Sequence, residues 1–210
     1  MSYDEHDAAM DEMYELIGDE LYPEHRTQAI GEFTADRLSS YYLANPMVMR
    51  PAVDALQEAN RLKDNGHHSA TVVFCATTIE LLLKATLLQP IVYGLVHNEG
   101  LADIIVKHAV GQTGFDRYRD LLSRLFKELA NLDIATVSRE GATVALIDES
   151  RRVQGLRNDI IHKGHACDEA AAQNAFDVAV AVFERIVVDV LWQLGLAVGK
   201  KGRIEPRQDT

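Results

Sequence analysis

Apolar residues recur at three- and four-residue steps along most of this chain, the spacing of one face of an α-helix. Over 8–22, Met13, Leu16, Ile17 and Leu21 form such a stripe among acidic neighbours, and Pro23 closes it. A second helix is predicted over about 27–43. It stops before Asn45-Pro46, because the residue preceding a proline avoids helical geometry. Pro51 suits the first turn of a third helix through about Leu62, and Asp64-Asn65-Gly66 reads as a turn. From His68 to about Leu88 the chain is apolar on most sides, with Val72, Val73, Phe74, Ile79, Leu81, Leu82, Leu83, Leu87 and Leu88. That is the pattern of a helix central to a bundle. Pro90 is expected to end or kink it.

The second half continues in the same style. Residues 92–100 fit no single pattern, and a short helix is predicted over 101–109. Residues 115–132 are amphipathic, with Tyr118, Leu121, Leu122, Leu125, Phe126 and Leu129 on one side. A helix over 141–162 is closed by Gly164 in the position of a left-handed cap. Within it Leu156, Ile160 and Ile161 are expected to face inward. Asp168 caps a last helix through about Leu194, with Phe176, Val180, Phe183, Val187 and Leu191 as its inner stripe. Trp192, Phe176 and Phe183 are expected in core or dimer packing. Sustained strict alternation between hairpin turns is absent, so no sheet is expected, and no repeat of 20–50 residues is visible. The fold class is therefore all-α. The expected organisation is an acidic helical N-terminal arm over 1–46, a helical bundle over 47–197 and a flexible tail over 198–210.

Composition adds limits rather than detail. The chain has 210 residues, 47% apolar and 25% charged, an ordinary globular composition. Cys75 and Cys167 are too few for a disulfide framework and lack metal-type spacing, so a reducing cytoplasm is expected. The first twelve residues carry five acids and no base, which is not a secretory signal. Residues 69–96 are long enough to cross a bilayer, but Glu80 and Lys84 in the middle would be costly there. A soluble protein with a strongly buried helix is expected, with no membrane partner.

The net charge of −11 is concentrated at one end. Residues 1–36 hold eleven acids and one base, Arg26, whereas the remaining 174 hold 21 acids and 20 bases. Such a balance argues against non-specific duplex DNA binding. The acidic arm reads first as a solvated helix face; it could also mimic nucleic acid or dock a basic partner.

Glycine-rich phosphate loops, His-Glu-x-x-His and Gly-x-Ser-x-Gly are all absent. His67-His68 stands at a helix start, where adjacent side chains diverge, so a shared metal is not expected. One segment stands out: Gly155-Leu156-Arg157-Asn158-Asp159-Ile160-Ile161-His162-Lys163-Gly164. Arg157 and His162 are separated by about 7.5 Å along the helix and by about 140° around it. They cannot clasp one small group from a single straight helix. They can flank a groove, or meet the same pair from another chain across a two-fold axis. A helix end favours a cation at His162, an imidazole can exchange protons near neutrality, and an arginine fork suits a phosphate.

Arg157-Asn158-x-x-x-His162, followed by Lys163-Gly164 and a long last helix, resembles the HEPN (higher eukaryotes and prokaryotes nucleotide-binding) superfamily. Upstream, Ala55-x-x-x-Ala59, Asp64-Asn65-Gly66-His67 and the apolar helix with Ile79-Glu80-Leu81-Leu82-Leu83-Lys84 resemble the family's first helical hairpin. The similarity spans about 50–197 and leaves the acidic arm outside. It implies an HEPN-like helical bundle and a metal-independent endoribonuclease, with no cofactor. It also implies a homodimer in which two Arg-x4–6-His motifs form one cleft, in a toxin–antitoxin, abortive-infection or antiviral setting with an antitoxin or defence-system partner. By that resemblance His162 is general base or acid, Arg157 holds the scissile phosphate, and Asn158 orients the phosphate or the histidine. The products would be a 2′,3′-cyclic phosphate and a 5′-OH. Accessory candidates are Glu80, Lys84, Asp159 and His165; Arg151, Arg152 and Lys163 are candidate RNA guides. For each of these a bland reading stands beside the functional one: a structural Glu80–Lys84 pair, and solvated surface for the rest. The family also contains non-catalytic nucleotide- or protein-binding modules, the alternative reading here.

Overall fold

The computed structural model describes Met10, Met13 and residues 28–96, 99–110, 122–124, 126–127 and 132–208. Most of the stripe expected over 8–22, and most of the amphipathic segment expected over 115–132, lie outside the described residues. Helix α1 is described over 28–44, and a turn at 45–49 leads into α2 (Arg50–Asp64) with Pro51 in its first turn. Helix α3 runs from His68 to Leu95, and α4 (Glu99–Ile104) continues as a π-helical stretch, Ile105–Val110. After Leu122 and Phe126, both buried, the chain passes through an irregular stretch at 132–145 to α5 (Leu146–Lys163). Helix α6 starts as Glu169–Val182, passes through a π-helical Phe183–Val187 and ends as Val188–Gln193. A two-stranded antiparallel hairpin, β1 (Leu196–Val198) and β2 (Ile204–Pro206), follows. The class is all-α with this one small hairpin.

Helix α3 lies at the centre. Its buried side chains, from Val72, Cys75 and Ile79 through Leu83, Leu87 and Ile91, occur on several sides because α2, α5 and α6 all pack on it. By length and composition it could cross a membrane, yet 61% of its most apolar window is buried inside the protein. Buried threonines are accommodated by back-bonding: Thr71 donates to the His67 carbonyl at 3.0 Å and Thr78 to the Phe74 carbonyl at 2.9 Å. Of the two outcomes expected at Pro90, an end or a kink, the end does not occur: α3 continues to Leu95. The residues Leu81–Leu88 are π-helical, and the amide of Gln89 bonds five residues back to Lys84. The wider turn re-phases the apolar face ahead of the proline. In a regular helix Pro90 would leave the Thr86 carbonyl without its donor. The Tyr42 hydroxyl of α1 donates to that carbonyl at 2.6 Å. Burial pushes the Tyr42 pKa upward, so the hydroxyl keeps the proton it donates.

Residues 28–46, expected within the acidic N-terminal arm, pack against the bundle. Leu38 and Tyr42 are buried in the core. Besides Tyr42, Arg37 donates to the Gly94 carbonyl at 2.8 Å, and Ser39 to the Leu194 carbonyl at 2.7 Å. Those last two are among the terminal carbonyls that a helix cannot satisfy within itself. Tyr41 stacks on Tyr93, with centroids 6.0 Å apart.

The flexible tail is corrected for 198–208. Ile204 is buried and its amide donates to the Pro46 carbonyl at 2.8 Å, so the hairpin closes the core under α2. Gly202 has φ +73 and stands where a Cβ would lie 2.6 Å from Val53. Only glycine meets both demands. The strands are three residues each, too short to show alternation. Helix α5 begins at Leu146 rather than 141, because Gly141 takes φ +74 in a turn. Arg139 anchors that region with a fork onto the buried Glu149 carboxylate and a bond to Asn174 at 3.0 Å. Of the expected α6 stripe, Val187 and Leu191 are fully buried, whereas Phe176 and Phe183 are only partly buried; in the first half the innermost line is instead Ala175, Val178, Ala179 and Val182.

The neighbourhood of Pro90 supplies a paired test. Thr86 Oγ1 is buried and finds no partner among the described residues. Thr86→Val is expected to stabilise the fold by about 1 kcal/mol, and Tyr42→Phe to cost about 1–3 kcal/mol by orphaning the carbonyl. Urea denaturation of the two variants checks both signs.

Candidate functional site

Helix α5 stops where it does because Gly164 adopts φ +66, a left-handed conformation that glycine enters without a Cβ penalty. Its amide bonds to the Ile160 carbonyl at 3.1 Å, and that of His165 to the Asp159 carbonyl at 3.3 Å. The last turn is thereby closed with His162 and Lys163 in it. Leu156 and Ile160 pack against the core, but Ile161 is 47% exposed, which corrects its inward assignment. Ile160 already occupies the inward line, and a step of 100° carries the next residue off it.

Arg157 is half-buried and donates from Nη1 to Asn158 Oδ1 at 3.0 Å. Asn158, His162, Lys163 and His165 are exposed. Asp159 pairs with Lys163 at 2.7 Å, and this hydrogen bond, then the charge, holds the Asp159 carboxyl below its usual range. The pair is therefore intact above the ordinary carboxylate range and dissolves as pH falls through the lowered value. Arg157 and His162 project to different sides of α5, as helical geometry requires.

The 100° step sorts the outer surface of α5 into strips. Arg151, Gly155, Asn158 and His162 fall on one, and all four are exposed. Arg152, Asp159 and Lys163 fall beside it. A Cβ at Gly155 would meet nothing within 4 Å, so the strip has an open notch between Arg151 and Asn158.

Two bonds orient α5 against α3. Gln154 Nε2 donates to the Ala76 carbonyl at 3.1 Å, and the Cys167 amide donates to Ser69 Oγ at 2.9 Å. The helices are antiparallel, so the end of α5 lies beside the start of α3. His67, His68, His162 and His165 thus share one end of the bundle. Among the described residues no group of three or more His, Cys, Asp or Glu could hold a metal ion. The same geometry separates Glu80 and Lys84 from His162. Measured from the Gln154–Ala76 contact, Glu80 lies about 6 Å and Lys84 about 12 Å one way, and His162 about 12 Å the other. The pair closes on itself at 2.8 Å, with Lys84 only 13% exposed and Glu80 47%. It is a structural ion pair, outside any cleft at His162. Burial pushes the Cys75 thiol up to about 12, which leaves it no nucleophile.

Sequence reasoning missed two features. The Arg139–Glu149–Asn174 cluster joins residues from a loop and two helices, and nothing local announces it. Trp192, expected in core or dimer packing, is not in the core of the chain: it is 50% exposed, with the Arg207 guanidinium 4.7 Å from its ring centroid. The signal for that surface was present: Gly199-Lys200-Lys201-Gly202 between two short apolar runs is a hairpin connection. No family model, curated protein or solved structure matches the chain.

The helix end is testable in isolation. Gly164→Ala has room for its methyl group but must bear the left-handed conformation, so it should cost about 1–2 kcal/mol. The amides of His165 and Lys163 should exchange faster with solvent, read by hydrogen exchange.

Proposed function

We propose that this chain is a cytoplasmic, metal-independent endoribonuclease of the HEPN type, working as a homodimer in a defence or toxin–antitoxin role. What carries the reading is Arg157-Asn158-x-x-x-His162 at the closed end of α5, with Asn158 and His162 exposed on one strip. A second copy brings its His162 opposite the first Arg157, which answers the divergence of the two side chains within one chain. The exposed Ile161 beside His162 gives such a contact an apolar component.

In the proposed reaction one His162 takes the proton of the ribose 2′-OH. The 2′-oxygen attacks the phosphorus, and the P–O5′ bond breaks. The partner's His162, protonated, gives its proton to the leaving 5′-oxygen. Arg157 binds the non-bridging oxygens as charge builds on them. A 2′,3′-cyclic phosphate and a 5′-OH result, and the two imidazoles have exchanged protonation states.

Wild type and His162→Ala, expressed in a bacterial host and as purified full chains, test this. Wild type should create new 5′-OH ends in total RNA, unaffected by a chelator, and His162→Ala should lower cleavage at least about 100-fold. Intact RNA with wild type, together with altered assembly in His162→Ala, would sink the enzyme reading in favour of a binding module. The notch gives a second test. Gly155→Ala should raise stability by about 1 kcal/mol, as alanine does for glycine within a helix. If the strip carries substrate or the second copy, cleavage falls in that more stable variant; unchanged cleavage would remove the strip from the site.

A further inference from the structure

A groove of about 500 Å3 runs between α2, the second half of α6 and the C-terminal hairpin, bordered by Val53, Gln57, Phe183, Trp192, Val198 and Lys201. At its edge the half-exposed Trp192 ring carries the Arg207 guanidinium, which also donates to the Trp192 carbonyl at 3.4 Å. The hairpin adds Lys200, Lys201 and Arg203, all exposed. Over 192–208 there are four bases and a single acid, Glu205, whose carboxylate lies against Gly199. On α2, Asp54 is paired with Arg50 at 2.7 Å and Glu58 with Arg61 at 3.2 Å; on α6 the exposed Asp189 stands one turn before Trp192. Lys201 holds φ 58, a conformation in which glycine would be unstrained, so a cation stands at the tip of the turn. In a chain of net charge −11 this is a local reversal of sign.

We infer that the Trp192–hairpin face binds single-stranded RNA, as a docking site remote from the α5 end; its role as substrate docking rests on the ribonuclease reading. Cations fixed on a short hairpin meet backbone phosphates, and a base stacks on the indole–guanidinium pair. An acidic peptide would satisfy the cations but leave the aromatic platform unused. From the start of α6, beside the α5 end, to Trp192 is about 35 Å along the helix. The substrate is therefore a strand long enough to reach from the hairpin to His162.

Trp192 is the sole tryptophan, so its emission reports on this face alone. The full chain carrying His162→Ala, which spares the substrate, is titrated with an end-labelled oligoribonucleotide of about 16 nucleotides. Emission should be quenched, and the log of affinity by label anisotropy should fall with log salt at a slope of about −2 for three phosphate contacts. Adding Lys200→Glu and Arg203→Glu, both at exposed positions, should weaken binding at least ten-fold and flatten that slope, with the circular dichroism unchanged. Equal affinity in that variant, or no quenching by RNA, overturns the inference. So does quenching by a synthetic peptide of residues 1–36 where RNA has no effect, which would assign the face to acidic protein segments. RNA bound here without cleavage by wild type would sink the ribonuclease reading and leave this one standing; cleavage with an inert hairpin would do the reverse.

Discussion

Three carbonyl groups hold this architecture together from outside the helices that own them. Thr86, Gly94 and Leu194 each present a backbone oxygen to α1, and Tyr42, Arg37 and Ser39 donate to them. A buried carbonyl without a donor is costly; two of these three stand at helix ends, and the third is the one a proline at position 90 would strip of its donor in a regular helix. With α1 in place, α3 can pass through a proline and remain one continuous apolar rod. The packing of α2, α5 and α6 then follows, because each buries its apolar side against that rod. Thus residues assigned by charge to an arm supply the polar complement of the core.

What could be read in the sequence follows from how far each signal reaches along the chain. The caps are local, and they were legible. Asp168 accepts from the Ala171 amide at 2.8 Å, Gly164 closes α5 and Pro51 opens α2, all from chemistry within four residues. The central helix was legible because a run apolar on most sides has few other places to go. The continuation past Pro90 was not, since its donor is 44 residues away in sequence. Ile161 was misplaced because a run of two isoleucines does not say which one meets the core. The hairpin escaped because three-residue strands show no alternation, and a tail with four bases resembles solvated chain. Of the candidate site, Arg157, Asn158 and His162 were legible as a motif at a helix end. The separation of Glu80 from that end required the antiparallel packing of α3 and α5, which no spacing within the chain encodes.

Charge and geometry point the same way about how nucleic acid would approach. A chain of net charge −11 repels a polyanion at long range. Attraction has to come from short-range patches within about a Debye length, roughly 8–10 Å in physiological salt. On the proposed reading, the exposed strip of α5 and the C-terminal hairpin would be two such patches on opposite reaches of the bundle. Binding at either alone would be weak; a ligand touching both would gain through effective concentration.

The bonds from α1 also bear on what a break in the chain would do. The turn at 45–49 looks like the link between α1 and the body, yet α1 is fastened elsewhere, to the middle and end of α3 and to the end of α6. Ile204 grips the Pro46 carbonyl within the turn itself. A peptide bond cut in that turn severs a connector and leaves the fastening intact. The two fragments are halves of one core, and an intact mass on a denaturing gel would be the only thing lost.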